Sequence, residues 1–277
     1  MPQAVITCKA CGSPHLVKDG TIKGIQKWEC RSCGKKFVDN SAPPGMKTPA
    51  VQIGSAVHMY YEGLSLKAIC RRLQQTYHNY PSDSAVYAWI NISTYFVVER
   101  AKSFHPDVGD VWIVDETKLN IRGCRLSILD VVDKNTCFLL ATEVVSSSSV
   151  INVRNIIDKA IVKAGKIPKS VISKKFAVYP EKSSPSPGEV NRRLLSETMA
   201  GEIERFHSIF LNRTNKMSAL KSKNSVTKFA DGWLIHYNYF KPQEYLGGKT
   251  PAEIARIAYR RKNLDNSTVI VSDHLIF

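Results

Sequence analysis

A short apolar run that ends in an acidic residue dominates the hydrophobic pattern. Val111 to Val114 are apolar and lead directly into Asp115. A run of β-branched and aromatic residues like this predicts a strand that is buried on both faces of a sheet. A carboxylate there is costly to bury unless it meets a metal, a cation or hydrogen-bond donors. A turn or capping aspartate is the plainer interpretation of Asp115 taken alone.

The pattern after Asp115 predicts the rest of a sheet. Two apolar stretches, 125–132 and 136–145, are joined by the turn-forming residues 133–135 and predict a β-hairpin. An amphipathic helix follows and is closed by Gly165, and residues 169–173 predict a short buried strand. Three antiparallel strands, a helix and a parallel strand make a ribonuclease-H-like arrangement, in which the ends of the first and fourth strands lie side by side.

A second acidic candidate lies on a predicted helix over about 197–212. Its apolar stripe places Glu204 on the flank, together with His207 and Leu211, where a carboxylate can reach the edge of the sheet. The alternative is a flanking glutamate that extends into water. Further on, an aromatic helix is predicted over 231–240. Residues 250–253 form a capping box that opens a last helix, expected to run to about Arg261.

The amino-terminal hundred residues predict two smaller modules. Helices are expected over 51–61 and 66–75, with Ser65 as N-cap of the second, and a third helix begins at Ser82 or Ser84. This order is typical of a helix-turn-helix domain. In that domain Ser82, Asp83, Ser84 and Tyr87 would face base edges and Arg71 and Arg72 would meet phosphates. An ordinary three-helix packing unit is the alternative. Trp89 is expected in the core rather than as a stacking platform for a base.

Four of the seven cysteines form two close pairs. Cys8, Cys11, Cys30 and Cys33 follow the pattern C-x2-C-x18-C-x2-C. Each pair offers two thiolates from one tight turn, so the spacing predicts one structural zinc ion held by all four. A hairpin is expected between the pairs, around residues 23–24. This ribbon resembles those at the head of some transposases and transcription factors.

The charge of the chain narrows the choice of partner. A formal net charge of +15 over 277 residues points to a polyanion, nucleic acid before membrane. A basic protein without such a partner is the alternative. No stretch approaches the ~18 apolar residues of a membrane span, and no signal-peptide pattern precedes the first cysteines. We expect a cytoplasmic protein associated with the nucleoid of a prokaryotic cell.

Together these elements resemble the DDE transposases of bacterial and archaeal insertion sequences, over nearly the whole chain. The resemblance is carried by the ribbon, the helix-turn-helix pattern, Val-Asp-Glu-Thr-Lys around Asp115, Ile203-Glu-Arg-Phe-His207, His236-Tyr-Asn238 and the segment 246–253. In that family three carboxylates bind two divalent ions that activate water and then a DNA 3′ hydroxyl. The resemblance implies that Asp115 and Glu204 are the first and third of these catalytic, metal-binding carboxylates.

The second carboxylate is where this chain departs from the family. The aspartate position at the end of the fourth strand holds Lys174, although Phe176, Ala177 and Tyr179 fit the pattern that follows. A cation in place of a ligand lowers the affinity for Mg²⁺ or Mn²⁺, so these ions are expected only if the protein is catalytically active. The acids considered as replacements are Asp130, Asp133 and Glu181.

Three hypotheses follow. The first is a DNA-binding transposase-family protein, impaired in strand transfer by Lys174, that binds inverted-repeat ends as a homo-oligomer. The second is an active transposase with a displaced acid, and the third is a transcription regulator derived from a transposase. The expected domains are a zinc ribbon (1–40), a helix-turn-helix domain (50–100), a ribonuclease-H-like core (107–262) and a tail (263–277).

Overall fold

The computed structural model describes most of the chain in two compact units. It covers residues 6–22, 24–40, 42, 45–121, 123–173, 207–208, 210–211, 214 and 222–257, and the backbone of 260–264, 267–272 and 275–276. One unit comprises residues 1–97 with 259–277, and the other comprises 98–258. None of the helices in these ranges is long and apolar enough to cross a membrane.

The amino-terminal module is a three-stranded antiparallel sheet. Strands β1 (Leu16–Ile22) and β2 (Ile25–Cys30) form the predicted hairpin, and β3 (Lys36–Val38) pairs with β2. The apolar side chains of Leu16, Trp28 and Phe37 pack beside Cys8 and Cys30. A cluster of this size is too small to stabilise a module alone, so we expect the module to depend on its four cysteines.

Three helices follow the ribbon, as the periodicity predicted. They are α1 (Ala50–Tyr61), α2 (Leu66–Tyr77) and α3 (Asp83–Ala101). The Ser65 side chain accepts a hydrogen bond from the backbone N–H of Ala68, which confirms the predicted N-cap. Five residues connect α2 to α3, so the connection is slightly longer than the three or four residues usual in a helix-turn-helix. Trp89, expected in the core, is only half-buried.

The carboxyl-terminal residues form strands, which the sequence pattern did not predict. Strands β8 (Arg260–Leu264), β9 (Ser267–Ser272) and β10 (Leu275–Ile276) make an antiparallel sheet within the first unit. The prediction of a last helix to about Arg261 was therefore wrong. The helix that Thr250 caps, α6, spans only Pro251–Ile254, and Arg256 then adopts a left-handed backbone conformation with φ of 55°.

The second unit contains the predicted mixed sheet. Its strands are β4 (Val111–Ile121), β5 (Cys124–Asp133), β6 (Leu139–Val145) and β7 (Ser170–Ser173). The order is β6-β5-β4-β7, with β4 antiparallel to β5 and parallel to β7. Helix α4 (Val150–Ala164) connects β6 to β7 and is closed by Gly165 in a left-handed conformation. The fold is ribonuclease-H-like, as the order of patterns predicted.

An aromatic layer packs against this sheet. Helix α5 (Lys223–Ile235) lies against β6 and continues into a π-helical turn, His236–Phe240, so the predicted helix starts eight residues earlier than expected. The ring of Phe210, from the helical segment that carries His207, contacts Phe229 and Trp233 of α5. This packing fixes the position of His207 above the sheet.

Candidate functional site

Two aspartates face each other across the centre of the sheet. Asp115 on β4 and Asp130 on β5 are directly opposite partners in the antiparallel register. Residues in this relationship project from the same face of a sheet, with Cβ atoms about 5 Å apart. Asp130 is fully buried, whereas 27% of the Asp115 side chain is exposed. The two carboxylates therefore need a compensating cation or hydrogen-bond donor.

The imidazole of His207 supplies that compensation. Its Nε2 lies 2.9 Å from Oδ2 of Asp130, and its Nδ1 lies 3.3 Å from Oδ2 of Asp115. Burial alone would lower the pKa of His207, but the hydrogen bonds and charges of both aspartates outweigh it and raise this pKa to about 9. The ring is therefore a cation held between two anions at neutral pH.

The neighbouring residue Glu116 has a structural role on the opposite face of the sheet. Its Oε1 accepts hydrogen bonds from the hydroxyls of Ser127, at 2.7 Å, and Ser148, at 2.6 Å. Ser148 lies just before α4, so this contact ties the start of that helix to β4. The backbone N–H of Glu116 also donates to Oδ1 of Asp115, at 2.8 Å. The two successive side chains of the Asp-Glu motif thus project from opposite faces of the sheet.

Asp115 lies at the edge of the β4–β7 ladder. The last parallel pair is Val114 with Ser173, one residue before Asp115 and Lys174 respectively. Lys174, Glu204 and Glu181 lie outside the described residues. Within the described part of the chain, no group of three metal-ligating side chains forms around Asp115. Asp115 and its described neighbours therefore do not form a magnesium or manganese site on their own.

Asp133, another acid considered as a replacement, closes a turn instead. Its Oδ2 accepts hydrogen bonds from the backbone N–H and the hydroxyl of Thr136, at 2.8 and 2.7 Å. It pairs with Trp112, three residues before Asp115 on β4. Asp133 is therefore committed to the β5–β6 connection.

The four predicted cysteines form one sulphur cluster. The Sγ atoms of Cys8 and Cys33 are 3.7 Å apart, those of Cys11 and Cys30 are 3.6 Å apart, and all four lie within 4.8 Å of one another. Ligands about 2.3 Å from a tetrahedral zinc ion lie roughly 3.8 Å from each other. Cluster size and donor chemistry both fit one structural Zn²⁺. Cys70, Cys124 and Cys137 are not part of it.

The predicted DNA-contacting residues lie on a braced three-helix unit. Hydrogen bonds join Ser55 to Tyr77 and Tyr61 to Thr94, and the thiol of Cys70 donates to Asp83 at the start of α3. The side chains of Arg71, Arg72 and Ser84 are exposed and Tyr87 is half-buried, whereas Asp83 is held by Cys70. Neither arginine pairs with an acidic group in the described ranges.

Some cationic side chains of the ribbon form ion pairs or hydrogen bonds, and others are exposed. Lys27 and Lys36 pair with Asp19, at 2.7 and 3.2 Å, and the ammonium of Lys9 donates to Asn40 at 2.6 Å. Lys18, Arg31 and Lys35 are exposed. Their side chains are accessible to a phosphate backbone, as is that of Lys36, 48% of which is exposed.

No family model and no curated protein matches the chain. Among solved structures, the HTLV-2 integrase catalytic core domain in complex with magnesium, in trimeric and dimeric forms, is 18% identical. The match covers 55% of this chain and 97% of that one, with a TM-score of 0.36.

A simian T-cell lymphotropic virus intasome, in complex with PP2A regulatory subunit B56 gamma, is 10% identical. This match covers 79% of this chain and 78% of that one, with a TM-score of 0.42. The strand order, strand directions and crossover helix of the second unit are those of a ribonuclease-H-like fold.

Sequence reasoning missed the part that Asp130 and His207 play around Asp115. Asp130 was considered only as a replacement metal ligand, and His207 only as a member of a motif that flanks the apolar stripe of a helix. The register follows from the two-residue connection between Ile121 and Cys124, where Gly123 has a φ of 85°. Recognising that turn would have paired Asp115 with Asp130. No local pattern indicates the contact with His207.

Proposed function

We propose that this chain is a DNA-binding protein of the DDE transposase type that is impaired in strand transfer because Lys174 replaces the second catalytic carboxylate. The observation that carries the proposal is the parallel register of β4 and β7, which ends with Val114 opposite Ser173. In the sequence, Asp115 directly follows Val114 and Lys174 directly follows Ser173. The sequence thus offers a cation where two-metal chemistry needs an anionic ligand.

Charge explains why this substitution has a large effect. Three carboxylates would present −3 to two divalent ions, whereas Asp115, Lys174 and Glu204 present −1. One unit-charge contact at ~4 Å contributes about 4 kcal/mol at an effective dielectric of about 20. Replacing attraction by repulsion at one ligand therefore lowers metal affinity by several powers of ten. His207 already places another positive charge beside Asp115.

The assignment of Glu204 as partner rests on helical spacing. Glu204 precedes His207 by three residues, and positions i and i+3 of a helix share a face. In the helix that the sequence predicts over about 197–212, Glu204 and His207 are therefore expected on the same face. This spacing supports the family resemblance at the third carboxylate.

DNA binding is assigned to the first unit. The net charge of +15, the exposed Arg71 and Arg72, and the exposed cations of the ribbon all support binding to a phosphate backbone. Ser84 and Tyr87 lie near the start of α3, where a recognition helix contacts base edges. We expect the bound DNA to be the inverted repeats that flank the reading frame.

The proposal is tested by measuring binding and cleavage on the same DNA. Full-length protein is titrated against a duplex carrying the flanking repeats, a shuffled duplex and a promoter duplex, and then incubated with Mg²⁺ or Mn²⁺. The proposal expects tighter binding to the repeats and no metal-dependent cleavage. Preference for the promoter would favour a regulator. Cleavage at the repeat ends would favour an active enzyme with a displaced acid.

A further inference from the structure

Facing carboxylates at the centre of the sheet impose an electrostatic cost. Like charges on directly opposite residues of neighbouring strands destabilise a sheet. Asp130 cannot relieve this repulsion through water because it is fully buried, and its Oδ1 has no hydrogen-bond partner in the described ranges. The arrangement of Asp115 and Asp130 therefore depends on a group that can satisfy both.

His207 is placed to satisfy both through different ring nitrogens. The contact from Nε2 to Asp130 is a 2.9 Å hydrogen bond, and that from Nδ1 to Asp115 is longer, at 3.3 Å. Two nitrogens that face acceptors must both carry hydrogens, so the ring can donate in both directions. The shorter contact lies on the buried side, and Asp130 is therefore the anchor of the ring.

Burial separates the roles of the two aspartates. The side chain of Asp130 is 1% exposed, that of His207 is 9% exposed and that of Asp115 is 27% exposed. Asp115 therefore keeps contact with solvent, whereas Asp130 has almost none and hydrogen-bonds to His207. In the described residues, His207 links the buried Asp130 to the more exposed Asp115.

We propose that His207 is a positioning residue that is anchored by Asp130 and orients the carboxylate of Asp115, and that Asp130 is not a replacement for the missing metal ligand. The role of Asp115 as a metal ligand rests on the proposed function, whereas the contact of His207 with the two aspartates does not depend on it. Outer hydrogen bonds of this kind commonly orient a ligating carboxylate, and their loss lowers metal affinity or activity by about 10- to 100-fold.

The test uses full-length protein with ¹⁵N-labelled histidine rings and ¹³C-labelled aspartate carboxyls. Among the seven histidines, one ring should show two slowly exchanging N–H protons, and His207→Gln should remove both. Asp130→Asn should abolish their protection, and Asp115→Asn should shift the Nδ1 proton while the Nε2 proton persists. In His207→Gln the carboxyl resonance of Asp115 should move. His105→Gln, at an exposed histidine, is the matched control and should change none of these signals.

The spectrum of the unmutated protein tests the proposal even if a variant at a buried position does not fold. Absence of a ring with two protected N–H protons would overturn the proposal, as would an Asp115→Asn variant that leaves both protons unshifted. A separate assay adds His207→Gln to Lys174→Asp. The nicking rate should fall about tenfold or more at unchanged DNA affinity. If Lys174→Asp itself is inactive while the spectra agree, the proposed function fails and the positioning contact stands.

Discussion

His207 and Asp130 are 77 residues apart in the chain, and their side chains form a buried 2.9 Å hydrogen bond. This contact joins the helical segment of His207 to the middle of β5. It also places a cation beside Asp115, the residue that follows the last paired position of the first and fourth strands of the sheet. In the described part of the chain, the site around Asp115 therefore already contains one positively charged side chain, that of His207. Any charge from Lys174 would be additional.

We predict that the stabilising effect of His207 depends on pH. Its pKa in the folded protein is about 9, above the unfolded value of about 6.5, so its contribution is fully present below about pH 6.5 and is lost as pH rises through about 9. The free energy of unfolding should differ between parent and His207→Gln by up to about 3 kcal/mol more at pH 6 than at about pH 10. Urea unfolding measures this, with His105→Gln as control. A difference independent of pH would contradict it.

We predict about one zinc ion per chain. Metal analysis of purified protein should find it, and Cys30→Ser together with Cys33→Ser should lose it, because two thiolates leave a tetrahedral site incomplete. Cys124→Ser is the matched control, since Cys124 is an exposed cysteine outside the cluster, and it should keep full zinc. Full zinc in the double variant would show that the ion is held elsewhere.

We predict that Arg71 contributes to DNA affinity without sequence preference. Arg71→Ala should weaken binding to repeat and shuffled duplexes alike and reduce the slope of log K against log salt by about one, because one phosphate contact is lost. Ser84→Ala should instead change the preference between duplexes. Arg256→Ala, which removes an exposed arginine paired with Asp107, is the control. Fluorescence anisotropy at several salt concentrations would contradict the assignment if Arg71→Ala and Arg256→Ala behaved alike.

We predict that Asn238 is needed for stability. Its amide donates to the backbone carbonyl of Leu139, at 2.8 Å, and its Oδ1 accepts from the backbone N–H of Leu139, at 2.9 Å. Asn238→Ala leaves both buried backbone groups without this partner and should lower the free energy of unfolding by about 2–4 kcal/mol. Asn120→Ala, at an exposed position on β4, should cost far less. Equal losses in the two variants would contradict this role.

Most of the secondary structure could be predicted because the sequence patterns that determine it are local. Apolar runs, the caps Ser65, Gly165 and Thr250, and turn residues determined most elements of the second unit and of the three helices. The end of α6 was missed because it turns at Arg256, a residue type without left-handed preference. The site was only partly predicted because the contact of His207 with Asp130 depends on packing between distant segments.

The most direct test of the account is a nicking assay on DNA that carries the flanking repeats, with Mg²⁺ or Mn²⁺. We compare the parent, Lys174→Asp, Lys174→Asp with Asp115→Asn, and Lys228→Asp, which makes the same charge change at an exposed position of α5. The account predicts nicking only by Lys174→Asp. Its rate should be partial, because a ~1 Å error in placement can cost about a hundredfold. Metal-dependent nicking by the parent would contradict the account, as would nicking by Lys174→Asp that persists when Asp115→Asn is added.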